Sequence, residues 1–322
     1  MLDENHPAPN QCFFYRKASY FPASCVALGE IKKFLVVIGA KELYNSLKEQ
    51  LTTAVRVSYS IREVDTMLRW LLEHTLGIIH TDILLNKELV ITEQNQETLK
   101  QCVDRIKRNE PIQYILGKCE FYGREFVVNS HVLIPRPETE ELIQYVLQQH
   151  KGDEGLRILD IGTGSGCIAI TLAKELATAS IWALDISQEA LQVTRKNAEQ
   201  LQASVNLIEM DILSDSPDIE GLDILVSNPP YVLASEVTTM RLNVQGYEPA
   251  QALFVEDDNP LLFYRRISEL CISKLASTKW VYLEVHENYA TNVADLFREI
   301  AFTEVRIVQD LQGKDRMVVA HR

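Results

Sequence analysis

The 322 residues carry a formal net charge of −13, with 46% hydrophobic and 24% charged side chains. That balance suits a soluble chain with a sizeable core, in one large domain or two smaller ones, and argues against tight non-specific binding to a phosphate backbone. No apolar run approaches the roughly 20 residues a membrane helix needs, so no membrane contact is expected.

Cys12, Cys25, Cys102, Cys119, Cys167 and Cys271 form no C-x-x-C pair. This usage fits reduced thiols in a cytosol rather than a disulfide framework or a zinc site. The seven histidines are scattered, and no metal is expected. The N-terminus has no charged-then-apolar signal pattern, so the expected location is cytoplasmic.

In chain order, residues 1–38 hold Pro7, Pro9 and Pro22 beside Phe13, Phe14 and Tyr15 without a sustained period. They are expected to form a poorly ordered leader. No Met stands between Met1 and Met67. Translation from a non-AUG codon near Val36 or Val37 is therefore an alternative start, which N-terminal sequencing of the native protein tests.

Residues 39–110 are expected to form a small helical domain. Leu43, Leu47, Leu51 and Val55 recur every fourth residue, which makes an apolar stripe. Val64, Met67, Leu68, Leu71 and Leu72 do the same between Arg62 and Leu76, as do Leu99, Val103 and Ile106 between Gln96 and Arg108. Residues 111–137 read as a β-hairpin connector, with turns at Tyr122-Gly123 and Asn129-Ser130. A helix is expected over Glu138 to His150.

From Arg157 onward β-type runs alternate with helical stretches. The runs are Ile158–Ile161, Ile181–Leu184, Val205–Ile208, Ile224–Val226, Trp280–Val285, Val305–Val308 and Met317–Ala320. Residues 138–322 are thus expected to be an α/β domain with a seven-stranded, mainly parallel sheet covered on both faces. No helix separates the last two runs, so the final strand should insert antiparallel.

Four strand ends on one sheet edge carry the chemistry. In LDIGTGSGC, Gly162, Thr163, Gly164, Ser165 and Gly166 follow a strand and open a helix. Glycines there let the chain turn sharply and a ligand approach the backbone. The spacing is G-x-G-x-G, with Cys167 where a dinucleotide fingerprint places its third glycine. A simple tight turn is the alternative.

Asp185 closes the next strand, where a carboxylate can accept both hydroxyls of a ribose. A helix N-cap is its alternative role, although Ser187 suits that better. Asp211 ends the third strand and could accept from an adenine amino group, or simply form a turn.

Asn228-Pro229-Pro230-Tyr231 ends the fourth strand, and both prolines lack an N–H. The Asn228 oxygen and the Pro229 carbonyl can accept both hydrogens of a planar –NH₂ group, while Tyr231 offers a ring face for stacking. Drawing those hydrogens out of plane localises the nitrogen lone pair. Placement and electrostatics then replace a titratable base. A glycine loop, a ribose carboxylate and an amino clamp together imply methyl transfer from S-adenosylmethionine to a planar nitrogen.

With QYILGKCEFYG (113–123), VLIPRPETEELI (132–143), ILDIGTGSGCIAI (158–170), SNPPYV (227–232) and YEPAQALF (247–254), the chain from residue 41 onward resembles the release factor glutamine methyltransferases, the HemK/PrmC group. The resemblance implies a class I, Rossmann-like methyltransferase domain behind a small all-α domain. It implies methylation of the glutamine amide nitrogen in the Gly-Gly-Gln motif of class 1 peptide chain release factors by a monomer with no direct nucleic-acid binding. Gly162, Gly164, Asp185 and Ile212 would then touch the cofactor, Asn228 both cofactor and substrate, and Pro229, Pro230 and Tyr231 the glutamine. Arg136 and Glu138 would brace or line the pocket, and the helical domain would grip the release factor.

Two departures stand out: Ile212 sits at a position that is aromatic in some relatives, and Val285 follows Glu284 where a glycine is expected. The rival readings are a nucleic-acid amino methyltransferase, acting on adenine N6 or guanine N2, and a non-enzymatic cofactor-binding scaffold.

Overall fold

The computed structural model describes residues 25–26, 35–300 and 302–322. Residues 1–24 and 27–34 of the expected leader lie outside the described residues. The chain divides into two compact units, Met1–Arg108 and Asn109–Arg322.

In the first unit, strands β1 (Cys25–Val26), β2 (Leu35–Gly39) and β3 (Glu88–Ile91) form an antiparallel sheet in that order. Strand β2 thus occupies the last residues of the stretch read as a leader. Among its described residues the unit also holds four helices: α1 (Ala40–Ala54), α2 (Ile61–Leu76), α3 (His80–Leu84) and α4 (Glu93–Lys107). Leu43, Leu47 and Leu51 of α1 are fully buried, which is what their spacing dictates; burying each stabilises the unit by roughly 1.5–3 kcal/mol.

Helix α2 starts on a capping box. Glu63 N donates to Ser60 Oγ, and Ser60 N donates back to Glu63 Oε2. It stops at Gly77, whose φ of 66° needs glycine. Sequence periodicity revealed α1, α2 and α4 but neither the short α3 nor the β2–β3 pairing, whose partners lie about fifty residues apart.

The second unit begins with α5 (Ile112–Leu116) and the hairpin β4 (Lys118–Phe121) and β5 (Arg124–Val127). Phe121 and Phe126 meet edge to face and are buried in the same cluster as Leu142 and Ile168. The stretch expected as a connector is therefore packed into this unit. Helix α6 (Pro137–Gln149) follows, with proline at its first position, where no N–H is required.

Next come β6 (Arg157–Ile161), α7 (Cys167–Glu175), β7 (Ser180–Asp185), α8 (Gln188–Leu201), β8 (Asn206–Glu209) and β9 (Ile224–Ser227). After β9 lie a short parallel pair, β10 (Val232–Leu233) and β11 (Phe254–Val255), and the one-turn helix α9 (Leu242–Gln245) between them. The chain ends with α10 (Leu262–Ile272), β12 (Trp280–Glu284), α11 (Ala290–Arg298), β13 (Glu304–Gln309) and β14 (Asp315–His321).

The main sheet runs β13-β14-β12-β9-β6-β7-β8. Strand β14 inserts antiparallel between β12 and β13, and the remaining pairs β12–β9–β6–β7–β8 are parallel. Its central strands are buried on both faces, as continuous apolar runs require. Where a glycine was expected after Glu284, Val285 is fully buried, and its N–H donates to Arg316 O. The side chain fills the core and the ladder runs one residue further.

Candidate active site

Strands β6, β7, β8 and β9 are parallel neighbours, so the turns that follow them share one edge of the sheet. After β6, Gly162, Gly164 and Gly166 take φ of 74°, 55° and 81°, conformations that favour glycine. A Cβ on Gly162 or Gly164 would meet nothing within 4 Å, so this backbone faces open space. A Cβ on Gly166 would come within 2.6 Å of Thr194 and 2.8 Å of Ile170. The third glycine therefore serves the close approach of α7 and α8 rather than a ligand.

Thr163 and Ser165 are both buried. Thr163 Oγ1 donates to Asp160 Oδ2 at 2.6 Å. Asp160 lies fully buried at the end of β6, and burial pushes its carboxyl up to about 7. Its Oδ1 has no hydrogen-bond partner. Sequence reading did not single out Asp160, although a carboxylate in an otherwise apolar, doubly buried strand was the available signal.

Asp185 closes β7. Its Oδ2 accepts from Gly164 N at 2.8 Å and its Oδ1 from Ser187 N at 2.9 Å. Each oxygen retains a second lone pair for a ribose hydroxyl. Burial raises this carboxyl, against the backbone donors that lower it. Ser187 caps α8 by accepting from Ala190 N, which frees Asp185 from that duty.

Asp211 stands two residues beyond β8, and its Oδ1 accepts from Leu213 N. One oxygen thus serves the turn that was its alternative reading. Ile212 is buried in the same apolar cluster as Leu184 and Ile161.

The open carbons at Gly162 and Gly164, the orphaned Asp160 oxygen and the spare lone pairs of Asp185 fit a nucleoside-bearing cation such as S-adenosylmethionine. Gly162, Gly164 and Asp185 would hold it.

After β9, Asn228, Pro229 and Tyr231 line a cavity of about 590 Å³, together with Arg136, Glu138 and Arg316. Pro230 is not among its lining residues. Two quoted motifs meet here. Arg136 Nη2 donates to Glu248 Oε1 at 2.6 Å, and Ile134 N donates to Glu248 Oε2. Glu248 is buried, and burial raises its carboxyl while the Arg136 guanidinium lowers it.

Behind the clamp lies Glu284, fully buried at the end of β12 and itself on the cavity wall. Its Oε1 accepts from Tyr231 Oη at 3.0 Å and its Oε2 from Thr139 Oγ1 at 2.7 Å. Thr139 Oγ1 in turn accepts from Asn228 Nδ2 at 3.2 Å. Burial pushes the Tyr231 hydroxyl well above its ordinary range. Thr139 gave no signal in the sequence; only the fold brings α6 to β12.

A glycine loop after the first parallel strand and an Asn-Pro-Pro-Tyr clamp after the fourth, on one sheet edge, define a class I methyltransferase. Comparison agrees. The hMettl16 catalytic domain superposes with a TM-score of 0.51 at 17% identity, covering 74% of this chain and 84% of that one, a likeness of fold alone. Family models match for a PrmC N-terminal domain over residues 42–117 and a methyltransferase small domain over 138–245.

The release factor glutamine methyltransferase of Bacteroides thetaiotaomicron is 41% identical over 280 residues, covering 86% of this chain and 100% of that protein. The one from Flavobacterium psychrophilum is 37% identical over 279 residues, covering 86% and 98%. The chain belongs to the release factor glutamine methyltransferase family.

Proposed function

We propose that this chain methylates the side-chain amide nitrogen of the glutamine in the Gly-Gly-Gln motif of class 1 peptide chain release factors. The carrying observation is that Asn228, Pro229 and Tyr231 line a cavity on the sheet edge that also bears the open glycine loop. Relatives named for this activity align over 86% of the chain, which supports the acceptor.

When bound, S-adenosylmethionine would supply an electrophilic methyl group to the amide nitrogen, the bonding pair staying on its sulfur and the displaced N–H proton passing to water. The residues of the chain do the placing. Gly162, Gly164 and Asp185 hold the nucleoside end. Asn228 Oδ1 and the Pro229 carbonyl accept the amide hydrogens, Pro230 stiffens the turn, and Tyr231 gives the flat group a face. Hydrogen bonds that pull on both N–H groups raise the nitrogen's nucleophilicity without a base.

In the same reading the unit before Arg108 grips the release factor away from its tip, and the enzyme is a cytoplasmic monomer that does not bind nucleic acid directly. The −13 charge supports that last point.

Radiolabelled methyl transfer from S-adenosylmethionine to a purified release factor tests the proposal. A Gly-Gly-Gln→Gly-Gly-Ala variant of the factor, bulk tRNA, rRNA and DNA are run beside it. Label on the wild-type factor alone is expected. Label on nucleic acid would keep the clamp and replace the amide with a base.

A further inference from the structure

We infer that Thr139 and Glu284 are the positioning residues that fix which way the Asn228 amide faces and where the Tyr231 ring stands. The inference rests on the clamp role of Asn228 proposed above and adds what enforces it.

Counting donors and acceptors gives the orientation. A carboxylate only accepts, and a threonine hydroxyl has a single proton. The Thr139 proton goes to Glu284 Oε2 at 2.7 Å. Its oxygen can therefore only accept from Asn228, 3.2 Å away, and Asn228 must present its –NH₂ to Thr139. Oδ1 is left as the amide's acceptor. That is the end a substrate –NH₂ requires, because a reversed amide would set two donors face to face.

The second oxygen of Glu284 accepts from Tyr231 Oη at 3.0 Å, and its main-chain carbonyl accepts from Tyr264 Oη at 3.0 Å. One carboxylate thus orients the acceptor and the stacking face together. Register explains the placement: Leu283 pairs with Ser227, so the next residues in line are Glu284 and Asn228. Thr139 is 2% exposed and Glu284 1%, so these bonds form in largely desolvated surroundings, where they are electrostatically stronger than in water.

The variant that isolates the effect is Thr139→Val, which keeps the branched shape and removes both hydroxyl bonds. Its kcat for methyl transfer should fall about 10- to 100-fold, the range for losing a group that orients a functional residue from behind. KM for the acceptor and Kd for S-adenosylmethionine should change less than kcat does, since Thr139 itself does not line the cavity. Thr139→Ser restores the hydroxyl and should return kcat to within about threefold of wild type.

Glu284→Gln gives a second reading. Its –NH₂ can donate to Thr139, which then donates to Asn228 and turns the amide round, so kcat should fall at least as far. The acceptor used is whichever substrate the wild type labels. Label on adenine instead of glutamine therefore defeats the proposed function and leaves this inference to be judged on adenine, which presents the same –NH₂.

The side-chain amide protons of Asn228, assigned by NMR from their loss in Asn228→Asp, report the bond without turnover. They should exchange more slowly in wild type and Thr139→Ser than in Thr139→Val. An unchanged kcat in Thr139→Val overturns the inference. So does equal impairment of Thr139→Ser, or a loss that tracks Tm and cofactor affinity alike.

Discussion

The turn after β6 and the turn after β9 lie on neighbouring strands, yet they are built in opposite ways. The first works by what it lacks: Gly162 and Gly164 leave open space where side chains would stand, while Asp185 accepts from Gly164 N and Thr194 donates to Gly164 O. The second works by what it fixes: two prolines without an N–H, and a hydrogen-bond chain from Asn228 through Thr139 to Glu284 and back to Tyr231. A site that binds a large cofactor needs room and backbone. A site that must aim a poor nucleophile needs rigid acceptors. The difference separates binding from catalysis, and substitutions in the two turns should separate them too.

The largest effect belongs to the second turn. Asn228→Ala removes an amide acceptor, and transfer should fall by at least about a hundredfold, the scale seen when an electrostatic positioning group is lost. Cofactor affinity, measured by calorimetry, should weaken much less. An equal loss in both would erase the distinction between the turns.

In the first turn the order reverses. Asp185→Ala removes the proposed ribose acceptor and the anchor of Gly164, so Kd for S-adenosylmethionine should rise about 10- to 100-fold, as for hydrogen bonds to a charged group. The kcat at saturating cofactor should change far less. An unchanged Kd would remove Asp185 from the cofactor site.

Within the glycine loop the contrast can be drawn more finely. Gly166→Ala forces a Cβ into Thr194 and Ile170 at a φ of 81°, so it should lower stability by about 1–3 kcal/mol. Gly164→Ala meets no neighbour and carries only left-handed strain of about 1–2 kcal/mol. Its added methyl instead occupies space the cofactor would use, so it should weaken cofactor binding more than Gly166→Ala does. Thermal denaturation beside calorimetric titration distinguishes the two. The sequence alone treated all three glycines alike, because spacing records the turn and not what lies above it.

That limit recurs across the molecule. The centre of the main sheet was legible because doubly buried strands must be written as continuous apolar runs, and the partly exposed edge strands β8 and β13 still showed as short apolar runs. The antiparallel insertion of β14 was legible from the missing helix before it. The pairing of β2 with β3 was not, since neither four- nor five-residue strand names a partner some fifty positions away.

In the site, three of the quoted motifs, VLIPRPETEELI, SNPPYV and YEPAQALF, supply residues to the cavity wall. The supporting groups escaped notice for a different reason. Thr139 and Glu284 acquire meaning only from the register of β12 on β9 and the packing of α6 on β12. A register is a property of pairs, and the run Trp280–Glu284 reads as one more core strand.

Asp160 and Glu284 sharpen the comparison once more, because each turn has a buried carboxylate beneath it. Burial raises both. Glu284 has a hydroxyl on each oxygen, whereas Asp160 has Thr163 Oγ1 and Ala169 N on Oδ2 and nothing on Oδ1. Burial sets Asp160 at about 7, from 3.8 in the unfolded chain, so the folded state holds the proton more tightly. Its stabilising contribution is complete below 3.8 and is lost as pH rises to about 7, levelling off above. Asp160→Asn cannot ionise there. The Tm of the cofactor-free variant should therefore gain on wild type between about pH 4 and 7 and hold a constant lead beyond. Calorimetry across that range checks it, and parallel Tm curves would show that the carboxyl is already ionised in the folded chain. A lead that shrinks when S-adenosylmethionine is added would mean that the bound cation stabilises the ionised carboxylate.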